Sequence, residues 1–180
     1  MIKIEQIHHV AYRCKDAKET VEFYKSFLNM DLLVCIAEAK VPSTKDPNPY
    51  MHVFLDAGMG NILAFFEITG CAPMDRDQNT PAWVQHIAFR VKDETALLEA
   101  KKELESKGLS VLGVTEHGII RSIYFFDPNG HRVELTCVTG QPDQMKHLKE
   151  LAPTMLDEWS RTKTPPRQAA WLHTEEFSKA

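Results

Sequence analysis

The sequence predicts an α+β fold built from two copies of one module, each with the element order βαβββ. Three observations carry this prediction: a phrase that occurs twice, a helix-start signal after each copy, and three strand patterns after each helix. The phrase HVAYRCKD at 9–16 returns as HIAFRVKD at 86–93, with five of eight positions identical. We expect module 1 at about residues 4–69 and module 2 at about 82–139, within one domain of residues 1–140.

Each copy of the phrase reads as a strand, because apolar and other residues alternate with a period of two. In the first copy, Val10, Tyr12 and Cys14 form a hydrophobic face. The histidine and the arginine of each copy share the opposite face: His9 with Arg13, and His86 with Arg90. His8, one position before His9, points to the other face and is expected to be structural.

A helix is predicted after each strand. DAKE at 16–19 has the form of a capping box, and apolar residues follow it at helical spacing as far as Leu28. In the second module the helical stretch begins at Asp93, and Gly108 can adopt the left-handed backbone conformation that commonly ends a helix. Further strands are expected near residues 32–37, 51–55, 61–68, 109–114, 119–126 and 132–138.

The remaining segments read as connections and a tail. Residues 37–50 hold three prolines and predict an exposed loop or lid, residues 70–81 link the modules, and DPNG at 127–130 is a turn signal. Residues 141–180 are expected to form a helical C-terminal extension, with one or two amphipathic helices broken at Pro153. Twisted four-stranded sheets with helices on their convex side follow from this order.

Composition excludes several classes of protein. Apolar residues make up 43% and charged residues 26%, which is typical of a soluble globular chain, and the net charge of −4 gives no reason to expect a nucleic-acid partner. No apolar run approaches the ~20 residues of a membrane span, and the N-terminus lacks the features of a signal peptide. The four cysteines form no CxxC pair. We therefore expect a cytoplasmic protein that acts on a small molecule, with a homodimer as its expected assembly.

Four residues in equivalent positions of the two modules predict a metal site. FFEIT places Glu67, and RVELT places Glu134, within a strand of hydrophobic residues, where an unpaired carboxylate is costly. With His9 and His86 on the concave face, two imidazoles and two carboxylates are sufficient ligands for one divalent cation. Without a metal, Arg13 and Arg90 are alternative partners for the two glutamates.

Taken together, the motifs resemble the vicinal oxygen chelate superfamily, which includes glyoxalase I, extradiol ring-cleavage dioxygenases, methylmalonyl-CoA epimerase and antibiotic-resistance proteins. The motifs that carry the resemblance are IHHVAYRCKD with EFYKSFLNM, FFEIT, VQHIAFRVKD and YFFDPNGHRVELT, which span roughly residues 4–139. The resemblance implies paired βαβββ modules around one metal, with His9, Glu67, His86 and Glu134 as ligands.

Among the activities of that superfamily, the extradiol branch is our leading hypothesis. Its two histidines and one carboxylate would here be His9, His86 and Glu134, a triad that suits Fe(II) or Mn(II) with open positions. In such enzymes a tyrosine ten residues before the last ligand bonds the catecholate oxygen, and Tyr124 stands there. In those enzymes a histidine upstream of the tyrosine takes part in proton transfer. His117 is its candidate counterpart here, although its spacing from the tyrosine is not identical. Arg13 and Arg90 join Tyr124 as candidate substrate-binding residues.

Two alternatives stay open at the level of sequence. Glu67, as a fourth ligand or a base, favours an enediolate-stabilising lyase, isomerase or epimerase like glyoxalase I, with Zn(II) or Ni(II). Arg13 matches the glutathione-binding arginine of that branch, but Cys71 stands where its asparagine is expected. A non-catalytic, antibiotic-sequestering protein is the third hypothesis, although such proteins generally lack the ligands that this chain retains.

Overall fold

The computed structural model describes residues 2–75 and 77–166, and within them the chain folds into eight strands and three helices. The first half contains β1 (Val10–Cys14), α1 (Ala17–Leu28), β2 (Leu32–Glu38), β3 (Tyr50–Asp56) and β4 (Ile62–Ile68). The second half contains β5 (His86–Arg90), α2 (Glu94–Ser106), β6 (Leu112–Glu116), β7 (Ile120–Phe126) and β8 (Arg132–Val138), followed by α3 (Pro142–Thr162). The predicted βαβββ order is therefore confirmed in both halves.

The strands form two four-stranded sheets with the same topology. The first sheet has the order β1-β4-β3-β2 and the second has the order β5-β8-β7-β6. In the first sheet β1 runs parallel to β4, whereas β3 is antiparallel to both of its neighbours. These mixed sheets with their helices confirm the predicted α+β class.

Both predicted helix starts are present as side-chain caps. The Asp16 carboxylate accepts a hydrogen bond from the Glu19 amide at 2.8 Å, and the Asp93 carboxylate accepts one from the Ala96 amide at 2.9 Å. These bonds satisfy amide groups that have no partner inside the first turn of a helix. Gly108, at φ +89°, follows the end of α2 as the sequence indicates.

Two predicted boundaries are wrong in the second half of the chain. Strand β6 begins at Leu112 rather than near residue 109, because the Leu109 amide still bonds the Leu104 carbonyl at the end of the helix. Helix α3 continues through Pro153 instead of breaking there. An interior proline removes one hydrogen bond and bends a helix, but the helix continues where the turns on both sides hold. Residues 167–180 of the expected extension lie outside the described residues.

The register of the first sheet gives it two different faces. Tyr12 pairs with Phe65 and Val53 also pairs with Phe65, so these side chains share one face. The Tyr24 ring of α1 lies 5.1 Å from the Phe65 ring, which identifies this side as the helix face. Burial of its aromatic and aliphatic side chains drives the packing of α1 on the sheet. The other side of the sheet is called the open face below.

The chain divides into two compact units. Of the described residues, the first unit comprises those of 2–87 and 126–133, and its buried side chains include Tyr24, Leu55 and Phe65. The second comprises those of 88–125 and 134–166, with a core that includes Leu97, Leu104, Ile123 and Phe125.

The DPNG turn at 127–130 is held in the first unit by side-chain hydrogen bonds. The side chain of Asn129 accepts a hydrogen bond from the Lys15 amide at 2.8 Å and donates to Thr20 Oγ1 at 3.1 Å and to Asp127 Oδ2 at 3.0 Å. The hydroxyl of Tyr24 donates to the same aspartate oxygen at 3.2 Å. The turn therefore joins the start of β8 to the junction of β1 and α1 through buried and partly buried hydrogen bonds.

We expect Asn129→Ala to lower the free energy of unfolding by about 2–4 kcal/mol, because truncation removes three hydrogen bonds, two of them buried and one partly buried. Urea unfolding followed by circular dichroism measures this change. The exposed Asn79→Ala is the matched control and should change stability by less than about 0.5 kcal/mol. A loss for Asn129→Ala no larger than that of the control would contradict the structural role.

Candidate functional site

The open face of the first sheet carries His9. The centre of its ring lies 6.1 Å from that of His52 and 5.7 Å from that of Phe54, two side chains of β3. The ring of His52 in turn stacks on Phe66 of β4, with centres 3.6 Å apart and an interplanar angle of 19°. His9 therefore stands at the edge of an aromatic surface on the face away from α1, as its strand pattern predicts.

The imidazole nitrogens of His9 and His86 are differentiated by their hydrogen bonds. His86 Nδ1 lies 3.0 Å from the carbonyl oxygen of Val84, which can only accept, so this nitrogen carries a proton. His9 Nδ1 lies 2.8 Å from Nδ1 of His8. Backbone or side-chain bonds to one ring nitrogen are how proteins orient a metal-ligating histidine. His8 thus contacts His9 directly.

Glu67 does not share the open face with His9, in contrast to the sequence-based prediction. It lies opposite Cys14 and Met51 in the strand register, on the helix face. Its Oε2 accepts a hydrogen bond from the amide of Ala17 at 2.7 Å, and Ala17 is the first residue of α1. The positive end of the helix dipole favours an anion at this position. The hydrogen bond from the start of α1 therefore offsets the cost of partly burying the Glu67 carboxylate.

Glu134 is a buried carboxylate in the second unit, with 3% of its surface exposed. Its Oε1 accepts a hydrogen bond of 2.5 Å from the hydroxyl of Ser122 on β7. The same hydroxyl lies 3.1 Å from Oγ1 of Thr136. Ser122 therefore orients the carboxylate, an arrangement that also supports ligating carboxylates in metal sites.

Tyr124 and His117 form a hydrogen-bonded pair in the second unit. Nε2 of His117 lies 2.7 Å from the hydroxyl oxygen of Tyr124. Tyr124 is buried on β7, two residues beyond Ser122, and alternation along the strand puts both side chains on one face. Because Ser122 bonds Glu134, the tyrosine, the histidine and the buried carboxylate all belong to this face of the second sheet.

Arg13 fixes the linker between the modules. Its Nη2 donates a hydrogen bond to the carbonyl oxygen of Ala72 at 2.6 Å, while its buried Nε has no hydrogen-bond partner among the described residues. Arg13 lies opposite Phe66 in the register and so shares the open face with His9. Arg90 is exposed at the end of β5. Substrate binding by either arginine stays a prediction.

His52 is a candidate that sequence reasoning missed. Only 9% of its surface is exposed, and within the described part of the chain its Nε2 is a buried nitrogen without a hydrogen-bond partner. Burial lowers the pKa of this imidazole, and the neighbouring His9 lowers it further, so the neutral ring is favoured. The available signal was its alternation with Tyr50 and Phe54 in YMHVFLD, but a lone histidine on a strand is usually a core residue.

A cavity of about 800 Å³ lies in the first unit. Its walls come from the linker, from the start of β5 and from the β7–β8 turn, and they include Tyr12, Tyr24, His86 and His131. Tyr12 and Tyr24 belong to the helix face of the first sheet, and His9 and His52 are not among the residues that line this cavity. The ring of His131 packs 5.0 Å from that of Tyr12, and its Nε2 is 2.7 Å from the Arg13 carbonyl.

Across residues 2–75 and 77–166, no three histidine, cysteine, aspartate or glutamate side chains are grouped so as to hold a metal ion. His9 and His86 belong to the first unit and Glu134 belongs to the second. Each of the three side chains has a contact that would orient a ligand: both histidines have a hydrogen bond at Nδ1, and the buried carboxylate of Glu134 accepts one from Ser122. A common centre for these three residues therefore stays a prediction.

The fold and these residues place the chain in a known family. Residues 6–135 match the family model described as the Glyoxalase/Bleomycin resistance protein/Dioxygenase superfamily, and the chain belongs to that superfamily. No helix in the described part of the chain is long and apolar enough to cross a membrane.

Two kinds of curated relative are similar in sequence. A putative ring-cleaving dioxygenase, MhqA of Bacillus subtilis, is 30% identical over 75% of this chain, which spans only 41% of the length of MhqA. The metallothiol transferase FosB of Staphylococcus saprophyticus is 27% identical over 84% of this chain and 89% of its own length. The FosB of Shouchella clausii is 30% identical over 59% of this chain and 80% of its own length.

Solved structures show the same fold. An integron cassette protein from a sewage-outfall metagenome aligns with a TM-score of 0.52 and 28% identity, covering 75% of this chain and all of that one. The fosfomycin resistance protein FosX of Listeria monocytogenes, in a complex with Mn(II), aligns with a TM-score of 0.55 and 21% identity, covering 80% of this chain and 99% of that one. Members of the superfamily are mostly metal-dependent enzymes, and their divalent metals include Mn(II) in FosX.

Proposed function

We propose that the protein is a divalent-metal-dependent dioxygenase that cleaves a catechol-like ring next to its two hydroxyl-bearing carbons. The observation that carries this proposal is the hydrogen bond of 2.7 Å between His117 and Tyr124, on the face that holds Glu134. A buried tyrosine whose hydroxyl meets an imidazole can bind a substrate oxygen and pass on a proton. The similarity to a ring-cleaving dioxygenase supports the same reaction class.

His9, His86 and Glu134 would hold the metal. Two imidazoles and one carboxylate suit Fe(II) or Mn(II) and leave positions for other ligands. When bound, such a metal would act as a Lewis acid toward two neighbouring substrate oxygens, and it would also serve as a redox centre for oxygen chemistry. Glu67 is not part of this proposed set, because it caps helix α1 on the helix face.

The remaining chemistry falls to side chains. The Tyr124 hydroxyl would donate a hydrogen bond to one catecholate oxygen and so orient the ring, while His117 would hold or release the proton at the tyrosine hydroxyl. In the first unit, His52 would stay neutral, since burial lowers its pKa, and its ring would pack beside the proposed ligand His9. The aromatic surface of Phe54 and Phe66 would exclude water from that side.

Thiol transfer is the second candidate. The share of each relative that aligns with this chain favours it. The match covers 89% of the FosB of Staphylococcus saprophyticus but only 41% of MhqA. A three-ligand site serves either reaction. The glyoxalase-type hypothesis loses its main support, since it depended on Glu67 as the fourth ligand or base.

Oxygen uptake decides between these reactions. We expect the purified protein, loaded anaerobically with Fe(II), to consume oxygen with at least one member of a catechol panel and to form a yellow ring-cleavage product. The parallel assay supplies fosfomycin, a thiol and Mn(II). Thiol consumption there, with no oxygen uptake on any catechol, would overturn the dioxygenase proposal in favour of thiol transfer.

A further inference from the structure

His8 contacts a proposed metal ligand through a ring nitrogen. Its Nδ1 lies 2.8 Å from Nδ1 of His9, and the two rings meet edge to face with their centres 5.1 Å apart. Both residues stand immediately before β1, which begins at Val10, so the alternation of a strand does not separate their side chains. This explains why two neighbours that the sequence pattern assigns to opposite faces meet in the structure.

The ring of His9 is in contact on more than one side. His52 and Phe54 flank it on the open face, with ring centres 6.1 Å and 5.7 Å away, and both meet it edge to face. The contact with His8 occupies one nitrogen of the ring, Nδ1. A hydrogen bond at Nδ1 leaves Nε2 as the nitrogen that is available to a metal.

The repeat indicates in which direction the hydrogen bond between the two histidines runs. In the second copy His86 takes the place of His9, and its Nδ1 carries a proton because its partner, the carbonyl oxygen of Val84, can only accept. A neutral His8 can accept at Nδ1 while it keeps its own proton on Nε2. A neutral His9 with its proton on Nδ1 has its lone pair on Nε2, which is a form in which histidine binds metals.

We propose that His8 is a positioning residue, whose Nδ1 accepts a hydrogen bond from the Nδ1–H of His9 and so keeps the lone pair of His9 on Nε2 for the metal. This inference rests on the proposed function, which makes His9 a ligand. Loss of a partner of this kind typically lowers metal affinity about 10–100-fold. Because His8 and His9 are exposed, water competes for their hydrogen bond, and we expect a value at the lower end of that range, about tenfold.

The tautomer of His9 can be measured without any metal. In ¹⁵N-labelled, metal-free protein at about pH 8.5, where an ordinary imidazole is neutral, a long-range ¹H–¹⁵N correlation spectrum shows which ring nitrogen carries the proton. We expect the Nδ1–H form of His9 to predominate in the parent. His8→Phe keeps an aromatic ring but removes the acceptor, so it should shift His9 toward the Nε2–H form. A parent in which His9 carries its proton mainly on Nε2 would overturn the role of His8.

Mn(II) affinity, followed by electron paramagnetic resonance, supplies the second test. His8→Phe should weaken Mn(II) binding about tenfold, whereas His8→Asn, whose side-chain carbonyl can accept the same hydrogen bond, should stay within about threefold of the parent. Gln85→Ala is the matched control and should bind like the parent, since Gln85 precedes His86 as His8 precedes His9 but His86 bonds the Val84 carbonyl instead. Circular dichroism verifies that the three variants fold.

The outcomes separate this inference from the proposed function. Equal Mn(II) binding by His8→Phe and the parent, or a loss in His8→Asn that His8→Phe does not share, would contradict the hydrogen bond as the cause. A parent with the Nδ1–H form of His9 but without affinity for Mn(II) would overturn the proposed metal site. The Nε2–H form in a parent that binds Mn(II) would overturn the role of His8 alone.

Discussion

Alanine at both His9 and His86 should leave the purified protein without a divalent metal and without measurable oxygen uptake. The two imidazoles would supply two of three proposed protein ligands, so their loss leaves a single carboxylate, which holds Fe(II) or Mn(II) too weakly to survive purification. Elemental analysis of the parent should find about one divalent ion per chain. The same measurement on the double variant should find almost none.

His147→Ala is the matched control for this pair of substitutions, since His147 is an exposed histidine of α3 outside the proposed site. It should retain the metal content of the parent. Both chains should also show the same far-ultraviolet circular dichroism, which separates loss of ligands from loss of fold. If the double variant holds its metal as tightly as the parent, His9 and His86 are not the ligands.

Tyr124→Phe should lower the turnover number for the best catechol by about 10²–10⁴-fold while the metal content stays that of the parent. The substitution removes only the hydroxyl that bonds His117, so the ring still fills its buried place on β7. His117→Gln should have an effect of similar size. Because the two groups act as one pair, the double variant should be little worse than either single variant.

The control for Tyr124→Phe is Tyr24→Phe, which also removes a buried, hydrogen-bonded tyrosine hydroxyl. Tyr24 contacts Asp127 on the helix face, so its loss should reduce stability by about 1 kcal/mol and leave the turnover number within twofold. Additive losses for Tyr124→Phe and His117→Gln, or a full turnover number for Tyr124→Phe, would show that the pair does not transfer a proton in the reaction.

The sequence predicted the repeated architecture because its signals are local. The strand alternation around His9 and His86, the capping aspartates Asp16 and Asp93, and the DPNG turn each depend on neighbouring residues. All of them occur in the structure in their predicted places. The error at β6 has a local cause too, since Leu109 extends the end of the preceding helix instead of starting a strand.

The orientation of Glu67 could not be read from the repeat. FFEIT and RVELT suggest equivalent carboxylates, but the face on which a residue falls depends on the strand register, and a shift of one residue reverses it. In the structure Glu67 accepts a hydrogen bond from the start of α1 and Glu134 accepts one from Ser122, so the carboxylates of two similar motifs have different contacts. His52 was missed for a related reason, because its significance comes from its contact with His9 across strands.

Metal affinity of two glutamate variants tests the central claim, that Glu134 is a ligand and Glu67 is a helix cap. Glutamine keeps the size of each side chain and can still accept the hydrogen bond from Ser122 or from Ala17. Titration with Mn(II), followed by electron paramagnetic resonance, should show that Glu134→Gln weakens binding at least tenfold and that Glu67→Gln binds like the parent. Equal binding by Glu134→Gln and the parent, or a loss confined to Glu67→Gln, would contradict the assignment.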